Sequence, residues 1–140
     1  FAVGNRDVIA GLSKVKSNID SGIFRAVQIA AIEALTGPQD FRAGLLERYR
    51  RRRDVLVEGL QALGWQVRKP RATFYVWCPA PPDYDSSGFT ALLLQEAGLV
   101  TTPGVGLGDA GEGYIRMALT RPEEEIKEAL DRVGKLDISW

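Results

Sequence analysis

The sequence predicts an α+β domain in which a small, mainly antiparallel sheet is covered on one face by helices. Three observations predict it. Residues 7–63 repeat their apolar positions at helical spacing. From Trp65 onward strand-like runs at 65–68, 72–78, 99–101 and 114–119 alternate with further helical stretches. The chain has 140 residues, 45% hydrophobic and 26% charged, an ordinary globular composition long enough to close a core without metal or disulfide.

Each element has a local cause. Gly4-Asn5 reads as a turn, after which Asp7 is placed to cap a short helix carrying Val8, Ile9, Leu12 and Val15 and ending near Ser17-Asn18. Asp20 or Ser21 then starts a helix over 22–35 whose apolar residues, among them Ile23, Phe24, Val27, Ile29, Ile32 and Leu35, occupy most sides. A helix of that kind is normally buried, so this one is expected to pack on a body larger than the chain, and to drive self-association where it is left open. Thr36-Gly37-Pro38 ends it. Asp40 opens a long helix with a stripe of Phe41, Leu45, Tyr49, Leu56, Leu60 and Leu63, stopped by Gly64.

The period then shortens to two. Trp65-Gln66-Val67-Arg68 alternates, and 72–78 is aromatic and β-branched, so both read as strands. A loop of prolines and aspartates leads to Ser86 or Ser87 as the cap of a helix through Leu92 to Ala97, closed by Gly98. Leu99 to Thr101 is a short strand, 103–113 a glycine-rich loop, and 114–119 a strong strand. Thr120 with Glu123 forms a capping box for the last helix, whose inner face is Ile126, Ala129, Leu130 and Val133.

Composition excludes several chemistries. The 18 basic residues balance the 18 acidic ones, which argues against duplex nucleic acid or an anionic membrane as partner. There is no histidine, which removes the usual base of a nucleophilic triad and the usual zinc ligand. The one cysteine, Cys78, cannot form an internal disulfide and fits a reducing, cytoplasmic setting. No apolar run approaches the roughly 20 residues of a membrane span, and no charged-then-apolar leader opens the chain. The chain begins with Phe1, and its only methionine is Met117. Large residues are poor candidates for initiator trimming, so we read the chain as an excised or cleaved piece with its first strand cut.

Five motifs invite functional readings. Gly106-Leu107-Gly108-Asp109-Ala110-Gly111 matches the dinucleotide fingerprint, but a strand follows it where the fingerprint needs a helix N-terminus. Ser13-Lys14 resembles a catalytic pair, yet Lys14 lies on a helix side away from Leu12 and Val15, without the burial that depresses a lysine pKa. Arg48 and Arg50 to Arg53 make either a phosphate patch or, with Glu47, Asp54 and Glu58 nearby, a solvated helix face, the reading we favour. Asn18, Asp20, Ser21 and Gly22 form a polar knot that turn chemistry explains. Arg116 is the sharper case, a lone charge in mid-strand on the face of Tyr114 and Ala118. It is paired with an acid such as Glu112, open to water at an edge, or a fork for a carboxylate or phosphate.

The stretch 11–24, then Val27 to Ala31, Ala72 to Trp77, Thr102 to Gly104 and Gly113 to Thr120 together resemble the C-terminal part of class I and II pyridoxal-phosphate aminotransferases of fold type I. The stretch 16–22 is most similar to the LL-diaminopimelate aminotransferases, and the 113–116 block is the most specific piece. The resemblance spans the chain in order. It implies that residues 1–37 are a remnant of the large domain with interface helices, and 38–140 the small domain. It implies transfer of an amino group between an amino acid and a 2-oxo acid, LL-diaminopimelate and 2-oxoglutarate being one such pair, in a homodimer. By the same resemblance Arg116 grips the substrate α-carboxylate, Asn18 is a second substrate-binding residue in the region that reaches the neighbouring subunit's active site, and Phe74 and Tyr75 lie near the substrate or pack in the core. The Schiff-base lysine and the phosphate-binding arginine of the family belong upstream of Phe1. The implied chain is therefore inactive and free of pyridoxal phosphate without its N-terminal cofactor-binding domain. The alternative is a stand-alone aminotransferase-like ligand-binding or regulatory domain.

Overall fold

A computed structural model describes residues 2–140. The chain divides into two compact units, the first ending at Phe41 and the second running from Arg42 to Trp140.

The first unit holds two helices, α1 (Arg6–Ile19) and α2 (Arg25–Thr36). Asn5 caps α1, its Oδ1 accepting from the backbone N–H groups of Asp7 at 2.9 Å and Val8 at 3.3 Å. The cap expected at Asp7 thus lies two residues earlier, and Asp7 instead places its charge in the first turn, where the helix dipole favours it. Asp20 closes α1. Its carboxylate pairs with Lys16 and accepts from the Gly22 N–H at 2.8 Å, and these bonds, Lys16 first, hold it below the usual carboxylate range. Because Asp20 is used there, α2 starts later than expected, after Phe24, with no side-chain cap. Neither helix buries a residue.

The second unit is built on α3 (Asp40–Ala62), whose buried residues are Leu56, Val57 and Leu60. Of the predicted stripe, Phe41 and Leu45 are exposed, so α3 meets the core from Tyr49 onward. Residues 65–68 bury Trp65 and Val67 and expose Gln66 and Arg68, as a strand would, yet pair with no neighbour; this run is a correction to the expected strand. The indole N–H of Trp65 donates to the Pro79 carbonyl at 2.8 Å, and its ring stacks on Trp140 at 4.3 Å.

The sheet has three strands, β1 (Tyr75–Pro79), β2 (Thr102–Pro103) and β3 (Tyr114–Ala118), in the order β1-β3-β2 with both pairings antiparallel. The second strand falls just after the expected 99–101. Cross-strand pairs Val76↔Met117 and Cys78↔Ile115 face the core. They pack with Leu56, Val57 and Leu60 of α3, with Phe89 and Leu93 of α4 (Ser86–Ala97), and with Ile126 and Val133 of α5 (Glu123–Val133). Helices on one face of an antiparallel sheet are the predicted α+β arrangement. Asp85, not Ser86, caps α4, accepting from the Gly88 N–H at 2.6 Å, and Gly98 closes it at φ +64°. The capping box expected at Thr120 does not form. Pro122 holds the N-cap position without a side-chain bond, and Glu123, Glu124 and Glu125 supply first-turn charge instead.

Candidate functional site

The pleat leaves a second sheet face carrying Tyr75 and Trp77 from β1, Thr102 from β2, and Tyr114 and Arg116 from β3. Trp77 is 41% and Tyr114 45% exposed, so this face lies open in the second unit. Arg116 sits at its centre, opposite Trp77 on one side and Thr102 on the other. Its guanidinium carbon stands 4.2 Å from the centroid of the Tyr75 ring, and Nη2 donates to Thr102 Oγ1 at 3.4 Å. Among the described residues no carboxylate pairs with it.

Glu112, the partner considered from sequence, is engaged elsewhere. Oε1 accepts from the backbone N–H groups of Ser86 and Gly113, both at 2.7 Å, and Oε2 accepts from the buried Ser86 hydroxyl at 2.9 Å. Those bonds, led by the Ser86 N–H, hold its carboxyl below the ordinary range. This clasp ties the entrance of β3 to the start of α4. Between them the glycine-rich loop folds into two 3-10 turns, Gly104–Leu107 and Asp109–Gly111, then passes straight into β3, so no α-helix opens there. Gly104 and Gly111 approach backbone to backbone. A Cβ on Gly104 would lie 2.6 Å from the Tyr114 carbonyl and closer still to that of Gly111.

A guanidinium supported on one face, bonded at one edge and lacking a protein counter-ion can receive a planar anion through two parallel N–H donors. That is the chemistry the arrangement offers. Tyr75 therefore does not pack in the core, whereas Phe74, beside it at 4.3 Å, leans on Tyr49 at 5.8 Å. Sequence reasoning placed Arg116 but missed its support, since Tyr75 and Thr102 meet it only through strand register.

The other candidates lie apart from this face. Asn18 is exposed on α1, its side-chain amide donating to the Lys14 carbonyl at 2.7 Å. Most of the arginine run is spent within the fold. Arg51 pairs with Glu123 at 3.0 Å, Arg52 donates to the carbonyls of Leu119 and Thr120, and Arg53 pairs with Asp54 at 2.7 Å. Among the described residues no cluster of His, Cys, Asp and Glu suits a metal, and no helix is long and apolar enough to cross a membrane.

The residues of this chain do not fit a pyridoxal phosphate Schiff-base site. All five lysines are exposed. Lys16 is tied to Asp20, and Lys69 lies 2.9 Å from Asp54 and 3.1 Å from Glu58, which raise its pKa, Asp54 first. An amine nucleophile needs the opposite shift.

Comparison with known proteins agrees with this fold. The family model for aminotransferase class I and II matches residues 1–133. The chain is 57% identical over 97% of its length to an LL-diaminopimelate aminotransferase of Syntrophobacter fumaroxidans, covering 35% of that protein. It is 52% identical over its whole length to one of Halothermothrix orenii, covering 36%. Among solved structures, an aminotransferase from Staphylococcus aureus superposes with TM-score 0.82 at 34% identity, over 96% of this chain and 36% of that one. Thermus thermophilus aspartate aminotransferase, as a tetra mutant, gives 0.77 at 34% identity over 94% of this chain and 37% of that one. The chain belongs to the class I and II aminotransferases, a family whose cofactor is pyridoxal phosphate. It spans about a third of the length of the curated relatives it matches.

Proposed function

We propose that this chain is the C-terminal third of an aminotransferase that moves an amino group between an amino acid and a 2-oxo acid, with LL-diaminopimelate, for which its relatives are named, as the amino donor and 2-oxoglutarate as the acceptor. In this reading residues 1–37 belong to the large domain and its interface helices, and 38–140 are the small domain. The whole enzyme is a cytoplasmic homodimer. The 140-residue chain alone is inactive and does not retain the cofactor, which an N-terminal domain would hold. When bound there, pyridoxal phosphate supplies the electron sink for the reaction. This chain's own contribution is to bind and orient: Arg116 holds the substrate α-carboxylate, and Asn18 reaches the neighbouring subunit's site.

One observation carries the reading: Arg116, in the block that resembles the family most specifically, is a supported guanidinium without a carboxylate of its own. The test is to sequence the gene upstream of the Phe1 codon. An in-frame Ser-Lys followed by Gly-x-Arg-x-Gly supports the proposal; a start codon directly before Phe1 overturns it in favour of a stand-alone ligand-binding or regulatory domain. In the whole enzyme, Arg116→Lys keeps the charge but loses the planar fork, and weakens substrate binding by roughly 2–3 kcal/mol. Steady-state kinetics that leave KM and turnover unchanged would remove Arg116 from this role.

A further inference from the structure

The segment that delivers Tyr75 to Arg116 is strained. Thr73 is the one non-glycine residue with positive φ among the described residues, at +69°. A β-branched side chain is a genuine outlier there, because its Cβ substituents crowd the backbone. Such strain is costly and persists only where the surroundings over-determine it. Here the Thr73 hydroxyl accepts from the Tyr75 N–H at 3.1 Å and lies 3.3 Å from the Tyr75 carbonyl, to which it can donate. One side chain therefore engages both backbone groups of the residue it positions. Beyond the turn, the Leu119 N–H donates to the Phe74 carbonyl at 2.8 Å, fixing the same stretch against the end of β3.

The consequence is geometric. The register Trp77↔Arg116 and Tyr75↔Ala118 makes Tyr75 the diagonal neighbour of Arg116, within reach of an aromatic ring. Its face meets the flat guanidinium at 4.2 Å, a cation–π distance, while Thr102 takes one N–H at the edge. With one face stacked and one edge bonded, the plane of the fork is set before any anion arrives. Pre-set geometry lowers the ordering cost of binding.

We infer that Tyr75, held by the strained turn at Thr73, is a positioning residue that pre-orients Arg116 for a carboxylate. The inference rests on the role proposed above for Arg116. It adds a determinant of substrate affinity that acts through the arginine without touching the substrate.

Two readouts separate the ring's action from that role. In the 140-residue chain, NMR of arginine side chains shows the Arg116 Nε–H proton upfield, as an aromatic face requires; Tyr75→Phe keeps the shift and Tyr75→Leu removes it. In the whole enzyme, Tyr75→Leu raises KM for an α-amino acid about 3- to 10-fold with kcat little changed, and Tyr75→Phe restores the parent value. The same variant does not change KM for the corresponding amine that lacks the α-carboxylate, a selectivity that mere loss of stability cannot produce. Should Tyr75→Leu lose its cooperative unfolding transition, Tyr75→Ile, a better strand former, carries the test. If Arg116→Leu raises KM while Tyr75→Leu does not, or if Tyr75→Phe is as impaired as Tyr75→Leu, the positioning role is wrong and the arginine's stands. If neither substitution moves KM, both fall.

Discussion

The two units of this chain handle apolar residues in opposite ways. In the second, Trp65 is 2% and Leu60 1% exposed, and fourteen buried side chains form one cluster beneath the sheet. In the first, α2 is apolar on most sides, yet Ile29 remains 57% exposed and no residue is buried. Apolar content is therefore no measure of a core. What distinguishes the units is supply of partners: β1, β3, α3, α4 and α5 all direct side chains to one volume, while α1 and α2 have no sheet of their own to cover. A helix apolar all round is written for burial. In the enzyme proposed above, a large domain and a second subunit would supply that burial.

The comparison can be broken most forcefully at Trp65. Trp65→Ala removes the ring that stacks on Trp140 and meets Phe89 edge-on at 5.4 Å, and destabilises the second unit by about 4 kcal/mol in urea denaturation followed by circular dichroism. A loss under about 1 kcal/mol would mean that this cluster is not the core. Next is Gly104→Ala, whose methyl group meets the Gly111 backbone, which cannot swing aside as a side chain would; we expect a loss of about 2–3 kcal/mol by the same measurement.

A smaller effect follows from Glu112, whose carboxyl is held below its ordinary value of 4.5 by the Ser86 and Gly113 bonds. A lowered folded pKa contributes stability that is complete above the unfolded value and lost as pH falls through the folded one. Glu112→Gln imitates the protonated state, so parent and variant differ in unfolding midpoint at neutral pH, and the difference shrinks as pH falls below the ordinary carboxyl value of 4.5. Curves that stay parallel down to pH 3 would remove the clasp from the account. Smallest of all, Ile29→Ala in α2 shifts stability of the 140-residue chain by under about 0.5 kcal/mol. A Trp65-sized loss there would erase the contrast between the units.

The parts of this fold that were legible in the sequence are those with a local cause. The strand β3 is a compact, mostly apolar run entered from Gly113, and α4 ends where Gly98 permits a left-handed residue. The illegible parts depend on partners. Residues 65–68 alternate in burial because one side faces the core, but alternation does not report whether a neighbouring strand exists. β2 is two residues long and is created by pairing of Thr102 and Pro103 with β3, so no window of sequence could locate it. The caps failed for a different reason. Asn5 and Asp7, or Thr120 and Pro122, are competing solutions within two residues, and small differences in backbone direction decide between them. Arg116 stood out as a charge in mid-strand, whereas its aromatic support appears only when the register is known.

Cys78 gives the second unit a clock. Its thiol sits at full burial in β1, opposite Ile115, and burial pushes its pKa to about 12, so the native fold holds neither an accessible sulfur nor an appreciable thiolate fraction at neutral pH. Alkylation must wait for the sheet to open. Because this is the only cysteine in the chain, every labelled molecule marks one opening of one place, and the labelling rate against pH and denaturant separates brief local breathing from whole-unit unfolding.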